Sequence, residues 1–390
     1  MSSRESSDWS RSWGSISELG RVLFAKSLTV TKRSIVLAAP GGTFVYVSNA
    51  DSKEILVLSL DSATGSLAPV QRVALSAPGP LNPLAVSPDR RFLYAAQREE
   101  PYQVSCFAVD QLSGELSYLS SAPLRHSTPY IVTDRTGRWL FAASYQGSLI
   151  SVSPIGLQGF VQPPHQVVRT ESNAHSIQID AANRNVLVPC LGGDVFLQWR
   201  FDVVTGKLVA NSLQAVRVEK GAGPRHFVFH PDNRRVYLLN ELDASVYVFD
   251  YDAESGTLSE LQTISALPAI FSGPAFGMPG VSTNGGPKAA DLHVSPDGRF
   301  LYASERTTST LAAFRIDLDS GRLERIDSFP TETTPRGFNI DPTGRYLLAV
   351  GQNSHHLTNY AIDQESGRLS ELQRYAMGQG PNWVEILRLP

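Results

Sequence analysis

Apolar residues in this chain fall into short runs, and the runs recur. An apolar stretch, a polar turn and a second apolar stretch appear seven times: VLAAPGGTFVYVS (36–48), AVSPDRRFLYAA (85–96), VTDRTGRWLFAA (132–143), QIDAANRNVLVP (178–189), FHPDNRRVYLL (229–239), VSPDGRFLYAS (294–304) and NIDPTGRYLLAV (339–350). Within the runs apolar and polar residues alternate with period two, as a half-buried strand requires. The last turn residues align as Thr43, Arg91, Arg138, Arg184, Arg234, Arg299 and Arg345, with steps of 48, 47, 46, 50, 65 and 46 residues. A period in the high forties, built from strand-like pieces, predicts an all-β fold. The expected architecture is a seven-bladed β-propeller of four-stranded antiparallel blades.

The fifth copy predicts one blade in full. Arg225–His230 reads as the inner strand, Val236–Asn240 and Val246–Tyr251 as the next two, and Leu258–Ile264 as the more polar outer strand. A second turn also repeats, as DSATGSL (61–67), DQLSGEL (110–116), DVVTGKL (202–208), DAESGTL (252–258), DLDSGRL (317–323) and DQESGRL (363–369). In the third copy it is blurred, around Gly156–Gly159. Gly there supplies a positive-φ position, and Asp or Ser bonds the local backbone. The turn arginines Arg91, Arg138, Arg299 and Arg345 read as blade-to-blade salt bridges. The 65-residue step contains an insertion, Pro268–Lys288, rich in Gly, Pro and Ser and expected to form a surface loop beside the axial funnel.

Ring closure needs one more inner strand. Asn382–Leu389 (NWVEILRL) has the pattern and no turn after it, so it is expected to complete the blade begun at Thr43–Ser48. Ser34–Ala38 is the rival for that slot. The domain reading is a flexible N-terminal extension over 1–34 and one propeller over 35–390. The extension lacks the apolar core of a secretory signal, and Glu5, Asp8 and Glu18 argue against a transit peptide.

Charge narrows the function classes. Thirty-four Lys and Arg against thirty-seven Asp and Glu leave a net charge of −3, with no global basic field for nucleic acid or an anionic membrane. Cys106 and Cys190, the only cysteines, read as core thiols, and the cytosol is the expected compartment. His355 and His356 are read on alternate faces of a strand, which argues against a shared metal. No cofactor and no metal is expected, and the expected assembly is a monomer or weak homodimer.

Two positions per repeat are predicted to look toward the axis. One opens the inner strand and runs Asn82, Pro129, His175, Arg225, Ala290, Arg336 and Asn382. The other ends the following strand and runs Ala50, Arg98, Tyr145, Leu191, Glu241, Arg306 and Gln352. Four arginines, a histidine and a glutamate stand there, against aliphatic residues elsewhere in the strands. Charges are rarely placed at buried strand ends unless they pair or bind something. Four cations against one carboxylate predict an anionic ligand, a phosphate or carboxylate held through guanidinium groups. Glu241 alone would serve to pair one of the arginines.

The segment GAGPRHFVFHPDNRRVYLLNELDASVYVFD (221–250) resembles the seven-bladed propeller lactonase family, which includes bacterial 6-phosphogluconolactonases and a fungal carboxymuconate lactonizing enzyme. So do SNAHSIQID (172–180), ASERTTSTLAAF (303–314), TETTPRGFNID (331–341), GQNSHH (351–356) and GQGPNWV (378–384). The resemblance runs collinearly from Gly42 to the end. It implies a His, Arg, Glu, Arg catalytic set, which falls on His175, Arg225, Glu241 and Arg306. It further implies metal-independent hydrolysis of 6-phosphoglucono-δ-lactone to 6-phosphogluconate, a step of the pentose phosphate pathway. Arg98 and Arg336 are then expected to contact the substrate anion, and Gln352, Asn82 and Tyr145 the sugar hydroxyls. Either Glu241 or His175 would deprotonate the attacking water. The alternatives are an intramolecular lyase acting on a muconolactone and a non-catalytic scaffold.

Overall fold

The structure, a computed structural model, describes residues 41–75, 79–269, 271 and 285–390. The N-terminal extension, the rival strand Ser34–Ala38 and most of the insertion lie outside the described residues. What is described forms seven sheets of four antiparallel strands, each a simple meander from inner to outer strand. In blade 1 the inner strand is Pro381–Arg388, hydrogen-bonded along its length to Thr43–Asn49. The C-terminal segment therefore closes the ring, as its sequence pattern predicts.

The core is divided among the seven blade interfaces. Each pair of neighbouring blades encloses its own cluster, and the cluster between blades 7 and 1 joins Tyr346, Leu348 and Val350 to Val45, Val384 and Ile386. Second and third strands are covered on both faces, so they run continuously apolar and not with the period-two alternation expected of half-buried strands. Outer strands such as Leu67–Ala74 alternate instead, because one face meets solvent.

Both turn families have a physical basis. The residue before each aligned arginine has a positive φ in blades 2 to 7: Arg90, Gly137, Asn183, Asn233, Gly298 and Gly344. The outer turn places Gly65, Gly114, Gly206, Gly256, Gly321 and Gly367 at positive φ, and Gly159 fills the same role in blade 3. The preceding aspartates cap these turns, as when Asp110 accepts bonds from the amides of Leu112 and Ser113. Each glycine also lies against the preceding blade, where a Cβ on Gly206 would sit 2.2 Å from the Trp139 ring. Tyr46, Tyr94, Tyr237 and Tyr302 donate their hydroxyls to the carbonyls of Gly114, Gly159, Gly321 and Gly367, latching each blade to the next.

The turn arginines correct the sequence reading. Arg91 and Arg299 pair with Asp89 and Asp297 of their own turns. Arg138 and Arg345 do reach the next blade, but they bond the carbonyls of Val203 and Ser62. These two guanidinium groups meet backbone acceptors at the seam, whereas Arg184 of the same alignment reaches a carboxylate of the next blade, Glu254 at 3.0 Å. Likewise His355 lies in the turn before the strand His356–Ile362, where its Nδ1 accepts the Gly380 amide at 3.1 Å. The two cysteines are buried and unpaired, and burial pushes both thiols up to about 12.

Candidate active site

Both predicted rings occupy regular places in the blades. Asn82, Arg225, Ala290, Arg336 and Asn382 are each the second residue of an inner strand, and the ladder is irregular at every one of them. Such a bulge re-aims a side chain that would otherwise follow the pleat, and bulges are common beside active sites. Pro129 and His175 precede the shorter inner strands Tyr130–Thr133 and Gln178–Ile179. The other ring, Ala50, Arg98, Tyr145, Leu191, Glu241, Arg306 and Gln352, is in each blade the first residue past the second strand.

Glu241 ties the cluster together. Its Oε2 accepts from Arg225 Nε at 2.9 Å and its Oε1 pairs with Arg306 at 3.0 Å. The carboxylate thus bridges blades 5 and 6 with both oxygens. Arg225 is 2% exposed, and its Nη1 also donates to the Ala290 carbonyl. Burial lowers its pKa to about 10 while Glu241 opposes the fall, so the guanidinium remains cationic. Burial alone would raise the Glu241 pKa, but Arg306, Arg225 and Arg336 outweigh it and hold the carboxyl below its ordinary value. Arg306 Nε donates to the carbonyl of Lys288 at 2.8 Å, so the last residue of the insertion borders the cluster.

Arg336 and Arg98 carry the remaining charge. Burial, then the fields of Arg225, Arg306 and Arg98, push Arg336 well below an ordinary arginine. Burial also lowers Arg98, whose Nε donates weakly to Ser127 Oγ at 3.4 Å. Neither makes an ion pair among the described residues. Three arginines in mutual field around one shared carboxylate are a site that an anion would stabilise.

His175 completes the group. It is 5% exposed, its ring stands edge-on to Tyr145 with centroids 5.7 Å apart, and its Nδ1 is enclosed without a hydrogen-bond partner. Burial and the nearby cations, Arg225 first, hold its pKa well below 6.5, so the imidazole is neutral at pH 7. Burial and the Glu241 charge raise the Tyr145 phenol. Asn82 is buried on its strand, Gln352 is half-buried past its own, and no side-chain hydrogen bond engages either among the described residues.

A layer of polar residues beneath this mouth was not foreseen. One residue further along the inner strands stand Tyr130, His226, Asp291 and Trp383, and they line an axial cavity of about 210 Å³ with His293 and Glu385. Their rings touch across blades 1, 3 and 5, with centroids 5.3 to 6.1 Å apart. The available signal was four aromatic or ionisable residues at one register, each directly after a predicted ring position. Among the described residues no group of three or more His, Cys, Asp or Glu is arranged to hold a metal ion. No helix among them is long and apolar enough to cross a membrane.

Comparison with known proteins agrees with this architecture. A family profile described as lactonase, 7-bladed beta-propeller, matches residues 44–386. The 6-phosphogluconolactonase of Pectobacterium carotovorum is 42% identical over 345 residues, covering 88% of this chain and 98% of its own. That of Serratia proteamaculans is 41% identical over 343 residues, with the same coverage. Among solved structures, the periplasmic gluconolactonase PpgL of Pseudomonas aeruginosa superposes with a TM-score of 0.80 at 28% identity, over 89% of this chain and all of its own. On this match the chain belongs to the seven-bladed β-propeller lactonase family.

Proposed function

We propose that this protein hydrolyses 6-phosphoglucono-δ-lactone to 6-phosphogluconate, acting in the cytosol on a free, small anionic substrate. The observation that carries the reading is the Arg225–Glu241–Arg306 bridge beside two arginines that lack a carboxylate. Arg336 and Arg98 would hold the phosphate. Arg306, the more accessible of the bridged pair, would face the lactone carbonyl, where a fixed cation stabilises the oxyanion as it forms.

His175 is the better base of the two candidates. Both oxygens of Glu241 are committed to guanidinium groups, which lowers its basicity, and its role is to fix those groups in place. His175 is neutral and ready to accept a proton. Its basicity is depressed first by burial and then by the surrounding cations, and a bound phosphate offsets the second of these. Water attacks the carbonyl carbon as His175 takes its proton, giving a tetrahedral oxyanion at Arg306. Collapse breaks the bond to the ring oxygen, which takes the proton back from His175; the ring opens to the carboxylic acid, which ionises and releases its proton to solvent. Tyr145, Gln352 and Asn82 would contact the sugar hydroxyls.

The test is lactone hydrolysis followed by proton release. Wild type is expected to turn over the phosphorylated lactone. Arg306→Ala and His175→Gln should lower kcat/KM by roughly 10²-fold or more, with unchanged circular dichroism. Turnover of a muconolactone in place of the sugar lactone would mark an intramolecular lyase. No turnover of any lactone would mark a scaffold, and either result overturns the reading.

A further inference from the structure

The polar layer below the mouth holds a carboxylate between two histidines. Asp291 Oδ1 lies 2.9 Å from His226 Nδ1, and its Oδ2 lies 3.2 Å from His293 Nε2. Asp291 Oδ2 also accepts the Phe338 amide at 3.3 Å, and burial of the carboxyl is outweighed by these partners, so Asp291 is ionised. An ionised carboxylate only accepts, hence His226 Nδ1 must carry a hydrogen. Burial and the Arg225 charge keep His226 from taking a second proton near neutral pH. Its Nε2 is therefore a lone pair, and that atom is enclosed without a partner.

A buried acceptor needs a donor. One neighbouring ring is already committed: Trp383 Nε1 donates to Glu385 Oε1 at 2.8 Å. His175 is the neighbouring imidazole, its centroid 5.2 Å from that of His226 at an interplanar angle of 65°. Its Nδ1 is itself enclosed and unpartnered. Each imidazole lacks what the other can supply; the two nitrogens make no direct hydrogen bond here, and a small ring rotation or a single bridging water would join them.

We propose that Asp291 and His226 are positioning residues for His175, fixing its hydrogen on Nδ1 and so leaving the Nε2 lone pair for the reacting water. Asp291 orients His226, His226 Nε2 accepts from His175 Nδ1–H, and His293 secures the far oxygen of Asp291. The line runs from blade 6 through blade 5 to blade 4, so a residue that never meets substrate sets the tautomer of one that does. This inference rests on His175 being the base. The charged and titratable groups around His175 are Arg225 and His226 of blade 5, Arg306 of blade 6, Arg336 of blade 7 and Tyr145 of blade 3.

The tautomer can be read without any lactone. Nitrogen NMR of protein labelled in its histidine rings, with the His175 signals assigned by loss in His175→Gln, should show Nδ1–H in wild type at pH 7.5. Asp291→Asn should convert His175 to a mixture or to Nε2–H, and lower kcat by roughly 10²-fold with KM changed less than about threefold. His226→Gln keeps an acceptor in place and should retain more activity than His226→Phe, a comparison that does not depend on Asp291→Asn folding. Wild-type His175 found as Nε2–H, or a tautomer unmoved in Asp291→Asn, overturns the proposal. If the tautomer behaves as stated but no lactone is turned over, the functional reading fails while the positioning role stands.

Discussion

Arg225 is a cation buried to within 2% of complete enclosure, and it is tolerable only because Glu241 and the Ala290 carbonyl accept from it. Glu385, lining the axial cavity, has no such guanidinium, and its charged neighbours are His293 and Asp291. Burial raises its carboxyl to about 7, with the Trp383 bond opposing the rise. The sign follows from linkage: the folded state prefers the protonated form, so this stability is complete below the ordinary carboxylate range. It is lost as pH climbs toward and through 7. Glu385→Gln keeps an oxygen for Trp383 and removes the titration. Its Tm should match wild type near pH 4.5 and exceed it by about 2–5 °C at pH 8, in thermal unfolding read across pH. A gap independent of pH would show that Glu385 does not titrate in this range. At this scale the sequence located the mouth, because charge at a strand end is conspicuous against Val, Leu and Ala. Tyr130, His226, Asp291 and Trp383 share one register, but a regular pleat would turn the residue after each ring position away from the axis, and local sequence does not show the bulges that turn three of them back.

Among the elements, the outer turns bind blade to blade. Gly206 has a φ of +70 and faces the Trp139 ring so closely that a methyl group cannot be admitted without moving it. Gly206→Ala should cost roughly 2–4 kcal/mol in urea unfolding, from the strained backbone and the displaced indole together. A change below about 0.5 kcal/mol would show that the turn does not hold the seam. Strand ends and both turn families were legible, since Asp, Ser and Gly have local backbone reasons to stand where they do. The destination of the turn arginines was not. Whether a guanidinium meets a carboxylate or a carbonyl depends on the neighbouring blade, and local sequence does not describe that neighbour.

For the molecule as a whole, closure decides whether seven seams or six are made. Ending the chain before Pro381 removes the inner strand of blade 1, exposes the edge of Thr43–Asn49 and strips Val384 and Ile386 from the cluster they share with Tyr346 and Leu348. A variant stopping at residue 380 should lose its cooperative unfolding transition and bind an apolar dye as an open ring. Retention of the full transition would show that the clasp is dispensable. Ring closure was readable from the unpaired pattern at Asn382–Leu389, because a strand with no turn after it must find its partner elsewhere.

The clasp also sets a timetable. The three other strands of blade 1 are among the earliest propeller residues to leave the ribosome, and the fourth is made more than 300 residues later. Until residue 388 emerges, the growing polypeptide is an arc with two bare apolar ends that fit each other, and equally fit those of a second nascent arc. Synthesis on crowded polysomes should therefore favour exchange of that last strand between copies, and factors that shield hydrophobic nascent surfaces would matter most in the final moments of translation.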